Sequence, residues 1–154
     1  MNIFNENIIN FINDYKTEIS DIKERGSVFT NTKLINEMLE LLPKSVWKEE
    51  HLKWLDPGSG IGNYMVVVYF KLMKHIPIND EEKRRKHIIE NMLYFVELNE
   101  NYISILKKIF CSDRYKLNIF QGSFVNLNTL DESINVFDNH VFNIKFNIIL
   151  GNPP

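Results

Sequence analysis

An apolar run, Leu52-Lys53-Trp54-Leu55, stops at Asp56-Pro57-Gly58-Ser59-Gly60-Ile61-Gly62, and a helical period begins at once, from Asn63 to Met73. A strand that turns on glycines straight into a helix constrains this chain more than any other feature. Glycine accepts positive φ and lets a ligand come close to the backbone. The first turn of the helix leaves N–H groups open to a carboxylate or phosphate. Any tight strand-to-helix connection can use the same residues, so the turn speaks to architecture before it speaks to function.

The rest of the chain continues the alternation. Leu93-Tyr94-Phe95-Val96-Glu97 reads as a second strand, and Asn99 caps a helix carrying Tyr102, Ile103, Leu106, Ile109 and Phe110. Residues 117–120 read as a weak third strand, 126–143 as a loop with one short turn, and 145–150 as a strong fourth strand ending at Gly151. Such alternation builds an α/β fold with a parallel sheet, whose ligands sit outside the carboxyl ends of the strands.

Upstream, Phe4, Ile8, Phe11, Ile12, Tyr15, Ile19 and Ile22 fall three and four apart, which predicts an amphipathic helix over residues 3–24. Gly26-Ser27-Val28-Phe29-Thr30 breaks that period. Thr32 is the expected cap of a second helix with Leu34, Ile35, Met38, Leu41 and Leu42, stopped by Pro43. Residues 75–92 form a charged insertion in which Asp80 caps a helix of Glu81, Glu82, Lys83, Arg84, Arg85 and Lys86. The acids beside the basic quartet predict a solvated helix face in preference to a phosphate-binding surface.

A net charge of −2 over 154 residues, with 44% hydrophobic and 25% charged residues, excludes a disordered chain and argues against a strongly basic nucleic-acid module. It leaves nucleic acid open as a substrate. The single cysteine, Cys111, has no internal disulfide partner and reads as a small buried residue. No secretory leader and no apolar run of about 18 residues are present, so a cytoplasmic chain without membrane contact is expected. His51, His75, His87 and His140 show no ligand spacing, so no metal is expected.

Two strand ends carry chemistry. Glu97 closes the second strand, where an acidic side chain can accept both hydroxyls of a ribose; alone it reads as an exposed strand-end glutamate, and the glycine turn tips the balance. Asn152-Pro153-Pro154 follows the fourth strand. Its prolines stiffen the backbone. The Asn152 side-chain oxygen and the Pro153 carbonyl make two acceptors, which suit the two donors of an –NH₂ group. The absence of a Gly-x-x-x-x-Gly-Lys-[Ser/Thr] loop argues against a phosphate-cleaving enzyme.

Together these segments resemble the amino-group DNA methyltransferases, which use S-adenosylmethionine to methylate adenine N6. Asp56 to Tyr64 resembles their Asp-Pro-x-x-Gly-x-Gly-x-Phe cofactor motif, Val96-Glu97-Leu98-Asn99 the acidic ribose motif, and Asn152-Pro153-Pro154 the catalytic Asn-Pro-Pro-aromatic motif. Gly26 to Thr30 resembles their Gly-x-Val-Phe-Thr-Pro segment, with Asn31 in place of the proline. Gly122-Ser123-Phe124 stands where Gly-Asp-Phe is usual, which makes Ser123 a weaker acceptor for the cofactor adenine and leaves Phe124 to pack on its ring. The charged insertion resembles that of restriction-associated and large-virus adenine methylases.

The resemblance implies a Rossmann-like fold with helices and the Phe29-Thr30 segment in residues 1–50 and the cofactor half in 51–154. Phe29, Thr30, Asp56, Pro57, Gly58, Gly60, Gly62, Glu97, Ser123 and Phe124 would bind S-adenosylmethionine, with Asn152, Pro153 and Pro154 catalytic. It implies a DNA substrate with a flipped adenine. In the order 3-2-1-4 the fourth strand would be an open apolar edge. The whole enzyme would hold three further strands, a recognition region and an aromatic residue after Pro154. The chain is therefore expected to be an inactive N-terminal fragment, partnered by its own C-terminal half or a restriction subunit. Glutamine-amide and guanine-N2 RNA methyltransferases share the Asn-Pro-Pro signature and stay open as alternatives. So does a non-catalytic S-adenosylmethionine-binding remnant. A nicotinamide-binding enzyme would leave Asn152-Pro153-Pro154 without a purpose.

Overall fold

Four strands, all parallel, stand in the order β3-β2-β1-β4. They are β1 (Trp54–Asp56), β2 (Leu93–Glu97), β3 (Asn118–Gln121) and β4 (Ile148–Ile149). The computed structural model describes residues 6–15, 29–124 and 144–152. The expected loop over 126–143, the residues Phe4, Ile19, Ile22 and Gly26 to Val28, and Pro153-Pro154 lie outside the described residues. The α/β class and the strand order match the expectation. All of β1 and all of β2 up to Val96 are buried, as continuous apolar runs in a parallel sheet require.

Alternation along the strands divides the core. Trp54, Leu93 and Phe95 point into the main cluster, whereas Leu55, Tyr94 and Val96 form a small cluster on the other face with Phe120, Ile144 and Phe146. The main cluster is built by α1 (Glu6–Asp14), α2 (Thr32–Leu39), a 3-10 turn (Lys44–Lys48), α3 (Asn63–His75) and α5 (Glu100–Ile109). Trp47 of the 3-10 turn stacks on Trp54 with ring centroids 5.0 Å apart.

Several boundaries differ from the sequence reading. The described part of the first helix ends at Asp14, beside Asn13, whose side chain is committed to the next helix. Its Nδ2 donates to Thr32 Oγ1 at 2.9 Å and its Oδ1 accepts from Thr32 N at 3.1 Å, which clamps the end of α1 to the start of α2. Thr32 is thus not the cap. Asn31 is, accepting from Lys33 N at 2.8 Å. Ile8, Ile12 and Ile35 are buried, but Phe11, Leu34, Met38 and Leu41 of the same apolar patterns are exposed.

Asp80 does cap α4 (Glu81–His87), and a π-helical turn (Ile88–Met92) delivers the chain directly into β2. The basic quartet is not wholly solvated. Lys83 and Lys86 are exposed, but Arg85 is buried against Tyr69 and held by Glu81 at 2.8 Å. Its stem has no other place than the core side of a seven-residue helix. Cys111 is buried, as expected, and burial pushes its thiol up.

β4 is much shorter than the apolar run that suggested it. Its partner β1 has three residues, and pairing is confined to Trp54↔Ile148 and Leu55↔Ile149. Just before it, Asn147 substitutes side chain for backbone: its Oδ1 accepts from Lys53 N at 2.8 Å while its N–H donates to Lys53 O at 3.0 Å. Among the described residues no helix is long and apolar enough to cross a membrane.

Candidate functional site

The carboxyl ends of β1, β2 and β3 are tied together by main-chain bonds that continue past the strands. Ser59 N donates to Val96 O at 2.9 Å and Gly122 N donates to Glu97 O at 3.0 Å. The turn after β1 therefore lies across the end of β2, with the residues after β3 beside it. Gly62 N donates to Ser59 O at 2.8 Å and Gly62 O accepts from Val66 N at 2.9 Å, which closes the turn and starts α3. Gly60 and Gly62 stand at φ +52° and +98°, which side chains rarely adopt. Space is short there too. A Cβ on Gly60 would meet the Phe29 ring at 2.6 Å, and one on Gly62 would meet Leu106 at 2.8 Å.

Glu97 sits where an acidic strand end was expected, but its carboxylate is committed to the backbone. Oε2 accepts from Gly60 N at 2.6 Å, and Oε1 accepts from Leu98 N at 2.8 Å and Asn99 N at 2.7 Å. Of about four lone-pair positions, three are taken and one on Oε2 remains. The residue is a strap across the glycine turn as well as a ligand candidate.

Asp56 is the most unusual group. Its side chain is 1% exposed, Oδ1 accepts from Gly58 N at 3.1 Å, and Oδ2 is buried without a hydrogen-bond partner among the described residues. Burial, and then the nearby Glu97 carboxylate, push its pKa up to about 7 against the pull of the Gly58 bond. On its far side lies Gly151, where a Cβ would come within 2.5 Å of Oδ1 and 3.2 Å of Pro57 Cδ. Leu150 N donates to Leu55 O at 2.9 Å, so β4 brings Gly151 and the exposed Asn152 to the Asp56 turn. Two sequence segments nearly a hundred residues apart thus meet at one carboxyl.

Phe29 and Thr30 close the other side of the turn. The Phe29 ring lies edge-on to Tyr102 at 5.4 Å and to Tyr15 at 5.6 Å, over Gly60. Thr30 O accepts from Asn63 Nδ2 at 3.0 Å, and Thr30 Oγ1 accepts from Tyr64 at 3.5 Å. Gly58 and Pro57 are half-buried in the turn; Ser123 is half-buried and Phe124 is 38% exposed beyond Gly122. Hence Phe29, Thr30, Asp56, Pro57, Gly58, Gly60, Gly62 and Glu97 form one cluster joined by Gly151. Ser123 and Phe124 stand next to it along the chain and Asn152 just outside it, while Pro153 and Pro154 lie outside the described residues.

Five participants escaped the sequence reading. Gly151 had a visible signal, a glycine ending the strand that faces Asp56. Asn63 had one as well, a polar first residue on an otherwise apolar helix. Leu98 is 54% exposed directly after Glu97, and an apolar residue between a strand-end acid and a helix cap is the mark of it. Tyr15 and Tyr102 were legible only as helix-face residues.

This architecture is a Rossmann-like α/β fold with its polar groups at the strand ends. It is similar to the crystal structure of a "modification subunit of a putative type I restriction enzyme" from Vibrio vulnificus YJ016, with a TM-score of 0.58 at 16% identity over 87% of this chain and 25% of that one. In sequence the chain is 36% identical over 78 residues to an "Uncharacterized adenine-specific methylase" of Mycoplasma pneumoniae, covering 47% of this chain and 18% of that protein. The chain thus spans about a fifth of the length of the curated relative and a quarter of the solved subunit. No family model matches the sequence.

Proposed function

We propose that this chain is the cofactor-binding part of an S-adenosylmethionine-dependent adenine-specific DNA methyltransferase, carrying with it the start of the catalytic turn. The observation that carries the reading is the meeting of the Asp56–Gly62 turn with Gly151–Asn152, which brings a cofactor-type turn to an amino-accepting one. The likeness to an adenine-specific methylase supports the chemistry.

The residues suit the cofactor. A turn whose glycines leave no Cβ, with a buried unpartnered carboxyl oxygen and a second carboxylate beside it, calls for a cationic ligand that lies close to the backbone. Asp56 and the 58–62 backbone would hold the amino-acid end, and Thr30 would meet its carboxylate. The remaining Glu97 lone pair would take a ribose hydroxyl. Leu98 and Phe124 would flank the adenine, with Ser123 at its edge. When bound, S-adenosylmethionine supplies a methyl group already activated on a sulfonium.

The chain's own task is positioning. Asn152 Oδ1 and the Pro153 carbonyl would accept the two N–H bonds of a flipped adenine, leaving the nitrogen lone pair free for methyl transfer and stabilising charge developing there. Pro153-Pro154 would hold those acceptors stiffly. The DNA recognition surface and a restriction subunit are partners supplied by the rest of such an enzyme, inside the cell. The 154-residue chain alone is expected to bind cofactor without methylating DNA.

Titration calorimetry of the chain with S-adenosylmethionine tests this. Binding at about micromolar Kd, near −8 kcal/mol, is expected, together with no transfer of labelled methyl to an adenine-containing duplex. Absence of binding overturns the cofactor assignment; turnover by this chain alone overturns the expected inactivity.

A further inference from the structure

The Asp56 carboxyl has a property that cofactor placement alone does not use. It is enclosed between the glycine turn and Gly151, one oxygen is bonded to Gly58 N, and the other faces no donor. Among the described residues, the groups packed around it bring no positive charge. The turn residues 57–62 and the β4 extension 150–152 hold no titratable side chain, and Tyr64 begins α3 after them. β2 contributes Glu97, an acid. Just before β1, Lys53 is directed to Tyr94, whose hydroxyl it reaches at 3.2 Å. A buried acid beside a second acid without a cation holds its proton.

We propose that ligand binding at this turn is proton-coupled through Asp56. Below about pH 7 the carboxyl is mostly neutral in the free chain, and a cationic group seated on the turn displaces its proton to solvent. The resulting carboxylate pairs with that cation while remaining packed against Gly151. The proposal rests on the methyltransferase reading for the identity of the cation, an ammonium or sulfonium. It makes Asp56 the residue that registers cofactor occupancy to the catalytic turn, because the same carboxyl touches both segments.

Calorimetry of the full chain at pH 7 in phosphate and in Tris, with S-adenosylmethionine and with S-adenosylhomocysteine, reads the proton count. With a carboxyl near 7, about half a proton should leave at pH 7, about nine-tenths at pH 6 and about a tenth at pH 8. Release with both ligands points to the ammonium; release with S-adenosylmethionine alone points to the sulfonium. Asp56→Asn should bind about tenfold more weakly, with heats that no longer depend on buffer.

Infrared difference spectra of ligand-free wild type against Asp56→Asn supply a measurement that needs no ligand. A protonated-carboxyl band disappearing with a midpoint near 7 is expected, and a midpoint in the ordinary carboxylate range overturns the inference. Binding with buffer-independent heats overturns it as well, while leaving the cofactor assignment intact. No binding of either ligand overturns that assignment and the coupling together.

Discussion

The two ends of the candidate site are built to different standards. Around Asp56, Gly60 and Glu97 the backbone is held by short hydrogen bonds from three elements, over the larger core. β4, which leads into Gly151 and Asn152, has two paired residues, an outer edge with no neighbouring strand among the described residues, and a side chain, Ile149, that is 59% exposed. Binding ends of enzymes profit from preorganisation, because ordering them afterwards weakens the ligand. If the Asp56 turn is the cofactor end and Gly151–Asn152 the catalytic end, as proposed, the first is built to work by itself while the second needs further contacts.

The largest effect expected from this contrast is at Trp54, fully buried on β1 and stacked on Trp47. Trp54→Ala should lower stability by about 3–5 kcal/mol, read as a shift of the urea midpoint at constant slope. A loss below about 1 kcal/mol would mean that β1 is no better anchored than β4, and the comparison would collapse.

Nearly as large is the pH dependence set by Asp56. Its pKa rises from 3.8 in the unfolded chain to about 7 in the fold. The folded state therefore binds the extra proton between those values. The stabilisation is fully present below pH 3.8 and is lost as pH rises through about 7, by roughly 4 kcal/mol in total. Urea midpoints measured from pH 4 to 8 should fall, and Asp56→Asn should flatten them. A midpoint that rises over this interval contradicts a buried neutral acid. The cofactor end thus carries a stored cost that β4 does not.

Smaller again is Gly62→Ala, expected to cost about 1–3 kcal/mol from the left-handed backbone and the contact with Leu106. Gly60→Ala differs instructively, because its obstacle is the Phe29 ring. Combining it with Phe29→Ala should recover part of the loss, giving a coupling of about 0.5–2 kcal/mol in a double-mutant cycle. Additive losses would mean that Phe29 does not cover the turn in solution.

How far these features were readable follows from what each depends on. β2, the caps at Asp80 and Asn99, and the start of α3 are local devices, and the residues that make them adjacent in sequence also make them in the fold. The strand order followed from the motif resemblance. β4 was overestimated because a strand's length is set by its neighbour: Ile148 to Leu150 is apolar, but β1 offers three residues to pair. The cap moved from Thr32 to Asn31 because a residue far away in sequence, Asn13, claims the threonine. Glu97 was legible as an acid at a strand end. Its commitment to Gly60 N was not, since that depends on how the turn folds over β2. Asp56 stood in the motif, yet its lack of a cation is visible only when every neighbour is known.

The smallest effect sharpens the contrast from the weak side. Ile149→Lys places a charge on the open edge of β4, at a position already more than half exposed. In this chain it should change stability by no more than about 0.5 kcal/mol, as exposed substitutions do, and should reduce self-association, since charge on an edge strand opposes pairing with another chain. Sedimentation and a urea titration read the two outcomes separately. A loss above about 1.5 kcal/mol would show that something covers Ile149 in solution, and the β4 end would then be as firmly built as the Asp56 turn. A neutral result with cofactor affinity unchanged would establish that the Asp56 turn keeps its geometry whatever happens along the outer edge of β4.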